Sequence, residues 1–212
     1  MIVLVSGATT YPRSESVGHL IVPRQWNDPA KLDLQPGRWA MESGAFSGFD
    51  EGAFIRMLEA YHPYHASQRR LVEQQGCLFV VVPDVVCDAA STLRRWAFWE
   101  RVIAALGFSP AFVAQNGLTP ERVPWNEFET LFIGGDDAYK EGSDARTLCG
   151  LAKARGKWVH WGRVNGKRRY ELALKAGADS IDGTGFSMAS DINIPKVAEW
   201  HREIQQQPEL KL

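Results

Sequence analysis

Eight short runs rich in β-branched and aromatic residues recur along the chain, at 2–6, 19–22, 39–42, 77–83, 110–115, 130–134, 158–162 and 179–182. Each is four to seven residues long, the length of a buried strand. Helical patterns separate most of them. Residues 89–106 place Leu93, Trp96, Trp99, Ile103 and Leu106 at spacings of three and four, so one face of that helix packs on a sheet. Residues 50–61, 144–155 and 167–176 read as helices by the same test, and Gly156 and Gly177 stand where a left-handed residue ends the last two. Strands alternating with helices predict an α/β fold with a mainly parallel sheet. Eight of them predict a compact (β/α)8 TIM-like barrel occupying residues 1–212 as one domain, with an open doubly wound sheet as the alternative. At 212 residues some barrel helices must be short or missing. The segment 23–37, with three prolines, reads as an irregular loop, and 205–212 as a fraying tail.

Composition narrows the function classes. Lys and Arg total 24 against 25 Asp and Glu, so the net charge of -1 gives no global attraction to a polyanion, which a local patch must grip instead. No apolar run reaches the 18 or so residues of a membrane span, and the N-terminus lacks the pattern of a secretory leader, so a cytoplasmic location without membrane attachment is expected. Cys77, Cys87 and Cys149 form no C-x-x-C pair, which argues against a disulfide framework or structural zinc and predicts buried free thiols.

In either α/β architecture chemistry gathers at the carboxyl ends of the strands. Here those ends carry Glu42-Ser43-Gly44-Ala45-Phe46, Pro83-Asp84, Gln115-Asn116-Gly117, Gly134-Gly135-Asp136, Gly162-Arg163 and Asp182-Gly183. A single Asp after a strand is more often a helix cap than a catalyst. Its recurrence at successive strand ends favours a site. One carboxylate can attack an anomeric carbon while a second handles protons, as in retaining glycosyl transfer. A further Asp with a Gln can read the edge of a purine, and glycine backbone N–H groups approach a ring carbonyl closely.

Five of these segments, those at Glu42, Asp84, Gln115, Gly134-Gly135 and Asp182, in this order over about residues 39–188, resemble the tRNA-guanine transglycosylase superfamily, and most closely its small branch that inserts 7-deazaguanine derivatives into DNA. The resemblance implies that Asp182, in Gly177-Ala178-Asp179-Ser180-Ile181-Asp182, is the nucleophile. It implies that Glu42, where the family has Asp, is the general acid/base, with Phe46 stacking on the base. Asp84, Gln115, Gly134 and Gly135 correspond to the base-recognition residues, and Trp161, just before Gly162, to the second stacking side chain. The expected reaction exchanges guanine in DNA for a 7-deazaguanine such as the 7-cyano compound, through a covalent Asp-glycosyl intermediate, with no metal or other cofactor. The 30 residues after Asp182 contain no cysteine of the zinc subdomain that the tRNA enzymes carry. The implied partners are DNA and the free base, with a homodimer or a DNA-opening accessory protein as further possibilities.

Between residues 152 and 170 stand seven Lys or Arg and no acid. Arg163, Lys167, Arg168 and Arg169 are the candidate phosphate contacts, whereas Lys153, Arg155 and Lys157 read equally well as a solvated face. Arg94-Arg95 is expected at the surface, Trp96 and Trp99 in the core, His160 as a satisfied interior histidine, and Asp179 in a structural role. Alternatives are the same chemistry on tRNA, a catalytically silent barrel that binds nucleic acid or a nucleobase, and a plain DNA glycosylase.

Overall fold

A computed structural model describes residues 1–7, 11–12, 14–23, 38–62 and 76–206. The expected loop lies almost wholly outside these, as does the end of the expected tail. Eight parallel strands close a barrel in sequence order: β1 (Ile2–Ser6), β2 (Val17–Ile21), β3 (Trp39–Met41), β4 (Cys77–Val81), β5 (Pro110–Ala114), β6 (Thr130–Ile133), β7 (Trp158–Trp161) and β8 (Ser180–Asp182), with β8 returning to β1. The (β/α)8 expectation holds and the open sheet is excluded.

The helices are α1 (Glu51–Ala60), α2 (Ala89–Ala105), α3 (Asp137–Glu141), α4 (Ser143–Ala154), α5 (Lys167–Lys175), α6 (Thr184–Met188) and α7 (Ser190–Gln206). Among the described residues no helix follows β1 or β2, and β5 is followed only by a single turn at Pro120–Arg122, which is how the fold fits so few residues. Asp50, Asp88 and Asp136 cap α1, α2 and α3, each accepting a backbone N–H at 2.8–2.9 Å. Gly156 and Gly177 have φ of 71° and 80°, the left-handed stops expected after α4 and α5.

Alternation along each strand builds two cores. Leu4, Leu20, Phe79, Val113 and Phe132 fill the barrel interior, while Val3, Ile133, Val159, Trp161 and Ile181 pack outward against the helices. Trp96 and Trp99 of α2 are buried in the outer layer, as expected. Of the cysteines only Cys149 is buried; Cys77 is partly buried and Cys87 exposed, because the loop after β4 turns Cys87 outward at φ 62°. Among the described residues no helix is long and apolar enough to cross a membrane.

Candidate active site

The strands end about one residue earlier than the apolar runs suggest, so the polar residues stand just past the last ladder positions, on the barrel's carboxyl-terminal rim. Glu42 follows β3, Gln115 follows β5, Gly134-Gly135 follow β6, Gly162-Arg163 follow β7, and Asp182 is the last residue of β8. Asp84 lies three residues past β4.

Two adjoining cavities open here. The inner one, about 50 Å³, is walled by Asp84, Gln115, Phe132, Gly134, Gly135 and Lys140. The outer one, about 360 Å³, is walled by Ser6, Ser43, Ser47, Asn165 and Thr184 among others. Glu42, Phe46, Arg163 and Asp182 line both. The Arg163 guanidinium lies 4.2 Å from the centre of the Phe46 ring, a cation–π stack at the partition.

Asp182 is held from two sides. Its Oδ1 accepts the Arg163 backbone N–H at 3.0 Å and meets His160 Nε2 at 3.1 Å, whereas Oδ2 has no hydrogen-bond partner among the described residues. Arg163 reaches this position through a left-handed φ of 62°. Behind His160, Trp158 Nε1 donates to Ser180 Oγ at 2.9 Å, and Ser180 Oγ lies 2.8 Å from His160 Nδ1. An indole only donates, and a hydroxyl has one proton to give. A carboxylate only accepts, so an imidazole that is neutral carries its proton on Nε2, directed at Asp182, and takes the Ser180 hydroxyl proton at Nδ1. His160 is thus interior and satisfied, as expected, but it also orients Asp182. The signal that could have found this is parity: Trp158, His160, Ser180 and Asp182 alternate inward on neighbouring strands.

Gln115 is fully buried and bridges two elements. Its Oε1 accepts the Cys87 backbone N–H at 2.8 Å, which fixes the amide so that Nε2 donates to Asp84 Oδ2 at 2.5 Å. Burial pushes Asp84 up to about 6, against the lowering effect of the Gln115 hydrogen bond and the Arg95 charge. Arg95 also donates to the Asp84 carbonyl at 2.7 Å, so it supports the site from behind rather than standing free at the surface. Glu42 is pushed up to about 8, first by burial and then by the neighbouring Asp182 and Asp84 charges, with Arg163 and Lys140 pulling the other way. Its carboxyl group has no hydrogen-bond partner among the described residues. A neutral acid therefore stands at the wall it shares with Asp182.

Close approach explains the rim glycines. A Cβ on Gly134 would lie 2.7 Å from Gln115 Nε2, and one on Gly162 would lie 2.8 Å from the Phe132 ring. Gly134 spends its N–H on the Ala114 carbonyl at 3.0 Å, which leaves Gly135, at φ 76°, to offer a backbone donor at the cavity.

Trp161 is a correction. It is 1% exposed, sits in the outer core and lines neither cavity. The pleat turns His160 inward and therefore Trp161 outward. The aromatic rings at the inner cavity are Phe46 and Phe132, and Phe132, missed from sequence, is found by the same alternation on β6.

Of the basic candidates Arg163 alone lines the cavities. Lys167, Arg168 and Arg169 are paired with Glu203, Glu141 and Asp137 on and beside α5. Lys153 binds Asp179 at 2.7 Å, which gives Asp179 its expected structural role; Arg155 stacks on Trp125 and Lys157 donates to the Phe128 carbonyl. Those three belong to the scaffold. No family model and no curated protein matches the chain.

Proposed function

We propose that the protein is a base-exchange enzyme acting on guanine in DNA, replacing it with a 7-deazaguanine derivative. The observation that carries this reading is the common wall of the two cavities: Glu42, whose acid is pushed up to about 8, beside an Asp182 whose Oδ1 is anchored twice and whose Oδ2 has no partner among the described residues. That is the division of labour that double-displacement glycosyl transfer needs. Asp182 Oδ2 attacks C1′ as the bond from C1′ to N9 breaks, and Glu42 gives its proton to the departing guanine. The incoming base then loses its N9 proton to the Glu42 carboxylate and attacks C1′, releasing Asp182 and restoring the original configuration.

The lining of the inner cavity matches the edges of a flipped base: Asp84 and Gln115 offer an acceptor and a donor to the amidine edge, Gly135 an N–H to a ring carbonyl, and Phe46 with Phe132 two aromatic walls. The outer cavity suits the sugar and its phosphates. It is rich in hydroxyl and amide groups, it contains the buried Ser43 Oγ, which has no hydrogen-bond partner among the described residues, and Arg163 supplies a cation. The ion pairs of α5 are exposed and individually weak, so a phosphate can replace their acidic partners. DNA rather than tRNA rests on the sequence likeness described above.

Guanine-containing DNA is incubated with radiolabelled guanine or 7-cyano-7-deazaguanine, with tRNA in parallel. The expected outcome is label in DNA, and its loss with Asp182→Asn together with any trappable protein–DNA adduct. Label in tRNA alone overturns the choice of polymer. Uptake by neither, or full activity of Asp182→Asn, overturns the mechanism.

A further inference from the structure

The base exchange gives Lys140 no task. Lys140 lies in α3 with 2% of its surface exposed, and its Nζ donates to the Gly162 carbonyl at 2.9 Å. An ammonium has three N–H donors. The other two find no acceptor among the described residues, and the side chain lines the inner cavity between Gly135 and Gly162. A buried cation so under-bonded is costly until something supplies an acceptor.

The order of groups around the rim says which part of a base would do so. From β4 to β8 it runs Asp84, Gln115, Gly134-Gly135, then Lys140 with Gly162, then Asp182. Around a guanine the order from the amino edge runs N2 and N1, O6, position 7, then N9. With the donor edge on Asp84 and N9 toward Asp182, O6 falls at the glycines and position 7 falls at Lys140. We propose that Lys140 reads the substituent at position 7 of the incoming base, accepting a neutral hydrogen-bond acceptor such as a nitrile and excluding a cationic aminomethyl group. This rests on the base-exchange reading. Arg163, also at this wall, adds a second positive charge against the same cation. Burial lowers the Lys140 ammonium to about 8, so the charge is present at neutral pH, and Asp182 and Asp137 help to keep it.

The test is a competition at neutral pH between 7-cyano- and 7-aminomethyl-7-deazaguanine for entry into DNA, with self-exchange of labelled guanine, which has no such substituent, as the control. The intact protein is expected to favour the cyano base by about tenfold or more in kcat/KM, and Lys140→Met to reduce that ratio by a similar factor. Lys140→Glu is expected to move it further toward the aminomethyl base. If the intact protein exchanges guanine yet takes both substituted bases equally, or prefers the aminomethyl one, the Lys140 inference falls alone, with no variant required. An unchanged ratio in Lys140→Met has the same meaning. No guanine exchange by the intact protein overturns both readings.

Discussion

Asp182 and Glu42 are both carboxyl groups at one cavity wall, and their partners separate their roles. Asp182 receives two N–H donors on one oxygen, whereas Glu42 receives none among the described residues and is pushed up by burial and by the Asp182 and Asp84 charges more than Arg163 and Lys140 pull it down. Base exchange should therefore follow two limbs in pH. Asp84 must be ionised to accept the base's N–H groups, so activity rises through about 6; Glu42 must hold its proton to release the base, so activity falls above about 8. A rate that is flat from pH 5 to 9 would deny these assignments. The relay behind Asp182 makes a separate prediction. Ser180→Ala takes away the proton donor to His160 Nδ1 and lets the imidazole tautomer drift, so the Asp182 carboxylate loses its fixed orientation. Exchange should slow between about 10- and 100-fold in kcat, with little change in KM for the free base, because the base never touches Ser180. Ser180→Thr, which keeps the hydroxyl, should recover most of the rate. Equal losses in both variants would reduce the relay to core packing.

At the level of the strand, one residue of parity separates a cavity wall from a helix-facing core. Trp161 and Phe132 provide the comparison: both are large aromatics near a strand end, one turned out and one turned in. Trp161→Ala should cost about 3–5 kcal/mol of stability and leave KM for the base unchanged when assayed below its lowered melting temperature. Phe132→Ala should instead raise that KM, by an amount corresponding to about 1–3 kcal/mol of stacking, and a base-binding defect confined to Trp161→Ala would reverse the assignment. The same distinction explains what was legible in advance. The eight strands, the stops at Gly156 and Gly177 and the polar rim follow from local patterns, since apolar period, left-handed glycines and strand-end acids are written within single segments. Phe132, Lys140 and the His160 relay are not written in that way. Their meaning depends on which residues face one another across three different strands and a helix. A motif position next to a glycine does not say which way the strand's pleat turns, and Trp161 therefore falls outside the site that its place in the sequence suggests. Thiol burial is a statistical habit, which the left-handed loop position of Cys87 overrides.

Across the whole molecule, gathering acids at one rim sets stability against chemistry. In the unfolded chain Glu42 releases its proton near 4.5, whereas in the fold it keeps it to about 8. Between those values the unfolded state binds fewer protons than the native state, so stability declines as pH rises. Asp84 acts in the same direction between 3.8 and about 6. The capping carboxylates Asp88 and Asp136 act oppositely: the Ser91 hydroxyl and then its backbone N–H hold Asp88, and the Tyr139 backbone N–H holds Asp136, below the ordinary value, so their contribution is lost in acid. The two tendencies place the most stable condition on the mildly acidic side, away from the pH at which a protonated Glu42 and an ionised Asp84 work together. Glu42→Gln removes the proton that must be retained while filling the same space. Denaturant unfolding at pH 5, 6.5 and 8 should therefore show the variant close to the parent at pH 5 and increasingly more stable than it toward pH 8, even though exchange activity is lost. A stability difference that is constant across the three conditions would mean that Glu42 releases its proton at the same pH in the folded and unfolded chains. The acid needed to expel the base would then be absent from the rim at neutral pH.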